Sequence, residues 1–253
     1  MAAALVAAAR DRAPIAPLTD SNPDMTALDA YRVQQLLVAE RLPNEGPVVG
    51  YKVGLTSKAM QDLLGIDTPD YGPILASMLR SGDTTLRRAD YIRPRVEAEI
   101  AFLLNAPLRG PGVEAEDVLA ATEGVMAAIE VIDSRIADWR IRLADTIADL
   151  ASSAMIVTSG RPVAVDGLAM EEIRVVMHDD AAAVSEGVGG AVLGHPARAA
   201  AWLANTLGEL DVGLEAGQVV MPGAMHAAVN AEAGHRYRAA FDHLGDVVVA
   251  FEE

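Results

Sequence analysis

Five residues near the start of the chain, Pro43-Asn44-Glu45-Gly46-Pro47, divide it into two unlike parts. Two prolines and a glycine so close together interrupt both helix and strand, so regular structure is expected to change character there. Upstream, residues 26–42 carry Leu28, Tyr31, Leu36, Leu37 and Leu42 near one helical face, with Thr26 placed to cap the start. The opening MAAALVAAAR is apolar but has no basic residue ahead of the apolar run, and Arg10, Asp11 and Arg12 follow it closely. It reads as the first turns of a helix rather than a signal peptide. Residues 13–25, with three prolines, form an irregular connection.

Downstream of the breaker the apolar runs are short. Strands are expected at 48–55, 96–104, 129–134, 154–158, 173–178, 218–221, 237–241 and 247–251. Ser57 opens a short helix, and helices are expected at about 115–128 and at 195–210, the latter with Pro196 in its permitted first turn. Residues 145–151 form a short helix or ordered loop. Asp67-Thr68-Pro69-Asp70-Tyr71-Gly72-Pro73 reads as a loop pinned by Pro and Gly, and Asp242-His243-Leu244-Gly245-Asp246 as a hairpin connection. So many short strands with occasional helices lack the alternation of a doubly wound sheet. The expected architecture is α+β, with a helical N-terminal segment at 1–47 and a β-rich catalytic domain at 48–253.

Composition narrows the function. A net charge of -16 opposes binding to nucleic acid or to an anionic membrane surface, since both need clustered Lys and Arg. No stretch reaches the roughly 18 apolar residues of a membrane-spanning helix. With no cysteine, disulfides, thiolate metal sites and Cys nucleophiles are excluded, which suits a reducing cytoplasm. Walker A, G-x-S-x-G and H-E-x-x-H sequences are absent, and Gly187-Val188-Gly189-Gly190 lacks the third glycine of a dinucleotide fingerprint. The five histidines show no ligand spacing.

The most informative stretch is Arg95-Val96-Glu97-Ala98-Glu99-Ile100-Ala101-Phe102. On a strand Glu97 and Glu99 share one face while Val96, Ala98 and Ile100 take the other. Two like charges about 7 Å apart repel unless a positive group lies between them. A bound cation meets that need; a solvent-facing edge strand avoids it. In Ala127-Ala128-Ile129-Glu130-Val131-Ile132-Asp133-Ser134-Arg135, acids lie within an apolar strand, where an unpaired charge is costly. Glu130 is then exposed, paired with Arg135 or Arg95, or a metal ligand. Three carboxylates make an oxygen-only site, suited to Mg²⁺ or Mn²⁺ rather than Zn²⁺. Lys52, among the apolar and glycine neighbours Gly50-Tyr51-Lys52-Val53-Gly54, is either a pocket cation for a substrate carboxylate or enolate, or a snorkelling surface lysine. Asp70 is an acid/base group or a turn aspartate. Asp145, Asp149, Ser152 and Ser153 line a polar pocket or cap a short helix.

Four ordered segments carry a family resemblance: Gly50-Tyr51-Lys52-Val53-Gly54-Leu55-Thr56-Ser57, Gly65-Ile66-Asp67-Thr68-Pro69-Asp70-Tyr71-Gly72, Pro94 to Phe102, and Ile129 to Arg135. With Asp145-Thr146-Ile147-Ala148-Asp149 and the ending Leu244-Gly245-Asp246-Val247, they resemble the 2-keto-4-pentenoate hydratase / 4-oxalocrotonate decarboxylase group of the fumarylacetoacetate hydrolase superfamily. The resemblance implies a mixed β-roll and a Mg²⁺ or Mn²⁺ held by Glu97, Glu99 and Glu130. It places Lys52 and Asp70 at the acid/base positions; Asp149, Ser152 and Ser153 are the expected substrate-binding residues. The implied activity is addition of water to a 2-hydroxy-2,4-dienoate, giving a 4-hydroxy-2-oxo acid, in aromatic or sterol ring-cleavage catabolism by a homo-oligomer. The decarboxylases share the metal-enolate logic but expel CO₂; the Trp139-containing stretch and Val220-Met221-Pro222-Gly223 look more hydratase-like. Other readings are a different activity of the superfamily on a related keto acid, and a non-catalytic partner subunit. The chain departs from the family pattern at Leu150, where an Asn usually follows the Asp149 position, at His235, where Asp is common, and at Met225-His226.

Overall fold

A computed structural model describes residues 1–57, 61 and 68–253. The expected helix opening at Ser57 and the Gly65-Ile66-Asp67 part of the second motif lie outside the described residues. The N-terminal segment holds α1 (Ala2–Asp11), α2 (Leu18–Ser21) and α3 (Ala27–Glu45). Thr26 caps α3 as expected: its Oγ1 accepts from the Asp29 N–H while Asp29 accepts from the Thr26 N–H. The breaker takes effect later than the sequence suggests. α3 runs through Pro43 and stops at Gly46, whose φ of 79° ends the helix. So near the C-terminus a proline removes one helical hydrogen bond without disturbing the turns that matter for packing.

The strands are β1 (Val48–Gly54), β2 (Asp70–Leu75), β3 (Leu79–Ser81), β4 (Thr84–Arg87), β5 (Arg95–Leu104), β6 (Thr122–Ile132), β7 (Ser153–Thr158), β8 (Arg174–Asp179), β9 (Ala182–Val188), β10 (Val219–Met221), β11 (Val229–Asn230), β12 (Arg236–Phe241) and β13 (Gly245–Glu252). Among the described residues they make an eight-stranded sheet in the order β2-β1-β10-β5-β6-β7-β3, with β11 pairing β5 from the side, and a five-stranded sheet in the order β4-β13-β12-β8-β9. Pairing is mixed: β1 runs parallel to β10, β3 to β7 and β4 to β13, and the other pairs are antiparallel. The helices are α4 (Ala115–Ala120), α5 (Leu143–Ala148) and α6 (Pro196–Gly208). Ile100, Phe102, Val125, Ile129, Tyr237, Val249 and Phe251 belong to the largest core, which draws on both sheets and the buried face of α6. A second core joins Leu5, Leu18, Ala30 and Leu37 to Ile147 and Leu150, seating the N-terminal helices over α5. No helix of the described residues is long and apolar enough to cross a membrane.

Two expectations fail here. The helix expected at 115–128 ends at Ala120, and β6 begins at Thr122. The run from Gly124 to Ile132 is buried on both faces, so neither period shows in it, and pairing with β5 and β7 decides the conformation. Asp70 is not in a loop: it is the first residue of β2 and 1% exposed. β2 lies at the edge of its sheet, where Pro73 is tolerated because a missing N–H costs no ladder bond.

Candidate metal centre and acid/base site

Strand alternation places the acids as the sequence implies. Val96, Ala98 and Ile100 are fully buried in the core, while Glu97 and Glu99 turn to the other face of β5. Glu97 stands directly opposite Glu130 of β6 in the antiparallel register. One carboxylate oxygen from each of Glu97, Glu99 and Glu130 falls within 4.8 Å of the others. Glu130 is fully buried, Glu99 nearly so, and Glu97 partly. Neither Glu130 oxygen has a hydrogen-bond partner. Three oxygen ligands converging on one point, two of their oxygens orphaned at depth, fit a hard divalent cation.

The partner of Glu130 is neither Arg135 nor Arg95, the two weighed from sequence. Lys52, 4% exposed on β1, brings its Nζ to 3.4 Å from Glu130 Oε2 and donates to the Ala151 carbonyl at 2.9 Å. Arg135 instead pairs with Asp149, and the Arg95 guanidinium lies 4.3 Å over the Trp139 ring. Distant strands make these pairings, so nearness in sequence misleads.

Burial works against the charge of Lys52, but Glu130 first, then Asp70, Glu97 and Glu99, outweigh it and hold the ammonium above its ordinary value. Burial, then Glu130, pushes Glu97 up to about 7, against the opposing pull of Lys52 and Arg95. Glu99 is raised by the same two causes, although the Gly223 N–H donates to its Oε2 at 2.8 Å. Asp70 is raised by burial, opposed by Lys52 and by the Thr146 hydroxyl, which donates to Oδ2 at 3.2 Å. Its Oδ1 is buried without a partner. Asp70 and Lys52 meet over Gly54, where a Cβ would collide with Asp70 Oδ1 and stand 3.3 Å from Lys52 Nζ.

Ser152 and Ser153, buried with unpartnered hydroxyls, follow Leu150 and Ala151 at the mouth of β7. Leu150, Ala151 and Ser152 all have positive φ (56°, 49° and 57°), a conformation that costs non-glycine residues energy and turns the Ala151 carbonyl toward Lys52. The third residue expected to touch substrate is differently placed. Asp149 is fully buried, with Oδ1 accepting from Arg135 Nε and Oδ2 from the Arg135 N–H at 2.9 Å and the Ser134 hydroxyl at 3.3 Å. Its carboxylate holds Arg135 and so anchors the 149–153 turn. Asp145 likewise accepts from the Thr19 N–H and hydroxyl and caps α5.

Several contributors were not expected from sequence. Thr146, Gly54 and Gly223 act through contacts that only the fold creates. Gly223 has a φ of 122°, and a Cβ there would collide with the Thr56 hydroxyl. Gln34 of α3 is buried, and its one amide nitrogen donates to the carbonyls of Tyr71 (2.9 Å) and Ile147 (2.8 Å). Those residues directly follow Asp70 and Thr146, so the amide clamps the two strands of backbone that carry the Thr146–Asp70 hydrogen bond.

Residues 68–251 match the model of the fumarylacetoacetate hydrolase C-terminal family. The chain is 43% identical over 253 residues to a 2-keto-4-pentenoate hydratase of Burkholderia vietnamiensis, covering all of this chain and 97% of that one. It is 40% identical over 251 residues to a 2-hydroxyhexa-2,4-dienoate hydratase of Comamonas testosteroni, covering 98% and 95%. Among solved structures, 4-oxalocrotonate decarboxylase from Pseudomonas putida G7, complexed with magnesium and adipate, superposes with a TM-score of 0.94 at 35% identity, over 99% of this chain and 95% of that one. Sequence and fold thus agree over essentially the whole length, and the chain belongs to the fumarylacetoacetate hydrolase family, in the group of 2-keto-4-pentenoate hydratases and 4-oxalocrotonate decarboxylases.

Proposed function

We propose that the protein is a metal-dependent hydro-lyase that adds water to a 2-hydroxy-2,4-dienoate of the 2-keto-4-pentenoate type, giving a 4-hydroxy-2-oxo acid. The observation that carries this reading is the buried convergence of Glu97, Glu99 and Glu130 beside Lys52 and Asp70. The names of its full-length relatives support the substrate class. Glu97, Glu99 and Glu130 are the residues to hold a divalent cation, Mg²⁺ or Mn²⁺; the Pseudomonas putida decarboxylase was solved with magnesium. A divalent cation held there would set two positive charges among the three carboxylates and would supply Lewis-acid polarisation of the substrate's 2-oxo group.

The chain's own groups handle the protons. Asp70, with an open Oδ1 and a raised affinity for protons, takes the proton of the 2-hydroxyl. Lys52, kept charged by its acidic neighbours, donates a hydrogen bond to the developing oxyanion and returns a proton at C5, giving the conjugated ketone. As a water oxygen bonds to C4, the water's proton passes to the amine of Lys52 and the proton held by Asp70 passes to C3, so both groups return to their starting states and the sum is one water added with no redox change. Ser152 and Ser153 present hydroxyls to the substrate's polar end, and Asp149 fixes their turn through Arg135. A cytoplasmic homo-oligomer acting in ring-cleavage catabolism completes the proposal. It is supported by the cysteine-free composition and by exposed Leu28, Leu36 and Leu42 on α3.

The decarboxylase reading has one observation in its favour, the superposition with 4-oxalocrotonate decarboxylase. Incubation with 2-hydroxypentadienoate and with 4-oxalocrotonate, each with Mg²⁺, separates the two. Loss of dienol absorbance from the first, with 4-hydroxy-2-oxopentanoate as product, is the expected result. Release of CO₂ from the second without turnover of the first would reverse the assignment.

A further inference from the structure

β5 is paired with β6 along its length, but among the described residues strands pair with its other edge only toward the ends. β10 meets it at Phe102 and Leu103, and β11 at Arg95 and Val96. Between these lies the part of β5 that carries Glu97 and Glu99. Ala98, between the two acids, turns both its backbone groups to this edge. Its carbonyl accepts from the Met225 N–H at 3.0 Å, and its N–H donates to His226 Nε2 at 3.1 Å. The His226 Nδ1 lies 2.8 Å from the Ala227 carbonyl, an acceptor only, so Nδ1 carries the hydrogen and Nε2 offers its lone pair. A side chain here does the work of a missing ladder partner. The peptide planes joined at Ala98 are the ones that connect Glu97 to Glu99.

The segment bearing His226 is itself held from behind. A Cβ on Gly187 of β9 would collide with the Met225 carbonyl and stand 3.2 Å from His226 Cβ. β9 therefore backs the 225–226 turn closely and fixes the backbone from which the imidazole projects. Inside a low-exposure edge, an N–H deprived of its acceptor shifts to find another or admits water. At this position either response rotates the backbone between two ligands of one site.

We propose that His226 is a positioning residue: by accepting the Ala98 N–H it sets the mutual orientation of Glu97 and Glu99 for the divalent cation. The proposal rests on the metal-site reading above. Isothermal titration of the EDTA-stripped full-length protein with Mn²⁺ tests it, alongside the thermal midpoint of each metal-free variant. Leucine fills the ring's space without an acceptor, whereas glutamine carries an acceptor oxygen as many bonds from Cβ as Nε2. H226L is expected to weaken Mn²⁺ binding about tenfold, the lower end for residues that orient metal ligands, while H226Q stays within about twofold of the parent. Both should melt within a few degrees of the parent in the metal-free state. Equal Mn²⁺ affinity in H226L and the parent would overturn the proposal. So would equal losses in H226L and H226Q together with a common fall in melting temperature, since the ring would then serve packing alone. Failure of the parent to bind Mn²⁺, with E130Q behaving the same, would instead overturn the metal site itself and this inference with it.

Discussion

Without a cation, the acidic cluster makes the fold sensitive to pH in an unusual direction. Glu97 moves from its ordinary 4.5 to about 7 in the folded protein, chiefly through burial and then through Glu130. A carboxyl raised on folding binds its proton more tightly in the native than in the unfolded chain. Its stabilising contribution is therefore full below pH 4.5 and is lost as pH rises through about 7. Two and a half units at 1.36 kcal/mol each come to about 3 kcal/mol, or roughly 6–12 °C in melting temperature for a chain of this size. Scanning calorimetry of EDTA-treated protein from pH 4.5 to 8 gives the total change, to which Glu99, Asp70 and Asp149 also contribute with the same sign. The Glu97→Gln variant isolates the one residue, because glutamine does not titrate. The parent should lose about 3 kcal/mol more than Glu97→Gln across this range, and saturating Mg²⁺ should remove most of that difference by holding the carboxylates ionised. Identical pH profiles for parent and variant in EDTA, or a parent that gains stability toward pH 8, would refute the electrostatic account of the site.

Two further changes probe the surroundings. Gly54→Ala puts a methyl group where Asp70 Oδ1 lies, so kcat with 2-hydroxypentadienoate should fall about a hundredfold with a smaller change in KM; an unchanged kcat would show that Asp70 is not the proton acceptor. Asp149→Ala strands the buried Arg135 guanidinium, and urea denaturation should show a loss of about 3–5 kcal/mol, most of it recovered when Arg135 is also replaced by Met; a loss under 1 kcal/mol would mean the pair is solvated.

Much of the site was readable wherever the local pattern was sufficient. Glu97 and Glu99, two apart in an apolar run, keep the shared face that alternation assigns them, while the burial of Glu99 and Lys52 decides between readings that the sequence leaves open. What escaped was set by strands far apart in the sequence. The choice of Lys52 over Arg135 as partner of Glu130 follows from the order of β1, β10, β5 and β6, which no local segment encodes. The same holds for 122–128, where burial on both faces erases periodicity and the neighbouring strands decide. Asp70 was misplaced because Pro and Gly mark turns in general, yet an edge strand accepts both. For Asp149 the sequence offers a polar pocket or a helix cap, and only the fold brings its carboxylate to Arg135.

The Gln34 amide changes how the chain can be divided. The break in secondary structure near residue 47 invites a helical appendage and an autonomous β-rich enzyme, but a single nitrogen from α3 reaches across that border to the backbone beside Asp70 and Thr146. A shortened protein beginning at residue 48 would keep every proposed ligand and proton carrier, yet leave the carbonyls of Tyr71 and Ile147 without the Gln34 donor, beside the proposed proton acceptor Asp70. On the proposed function α3 would act as a jig for the chemistry, and chimeras that exchange it between relatives should carry α3 and α5 together.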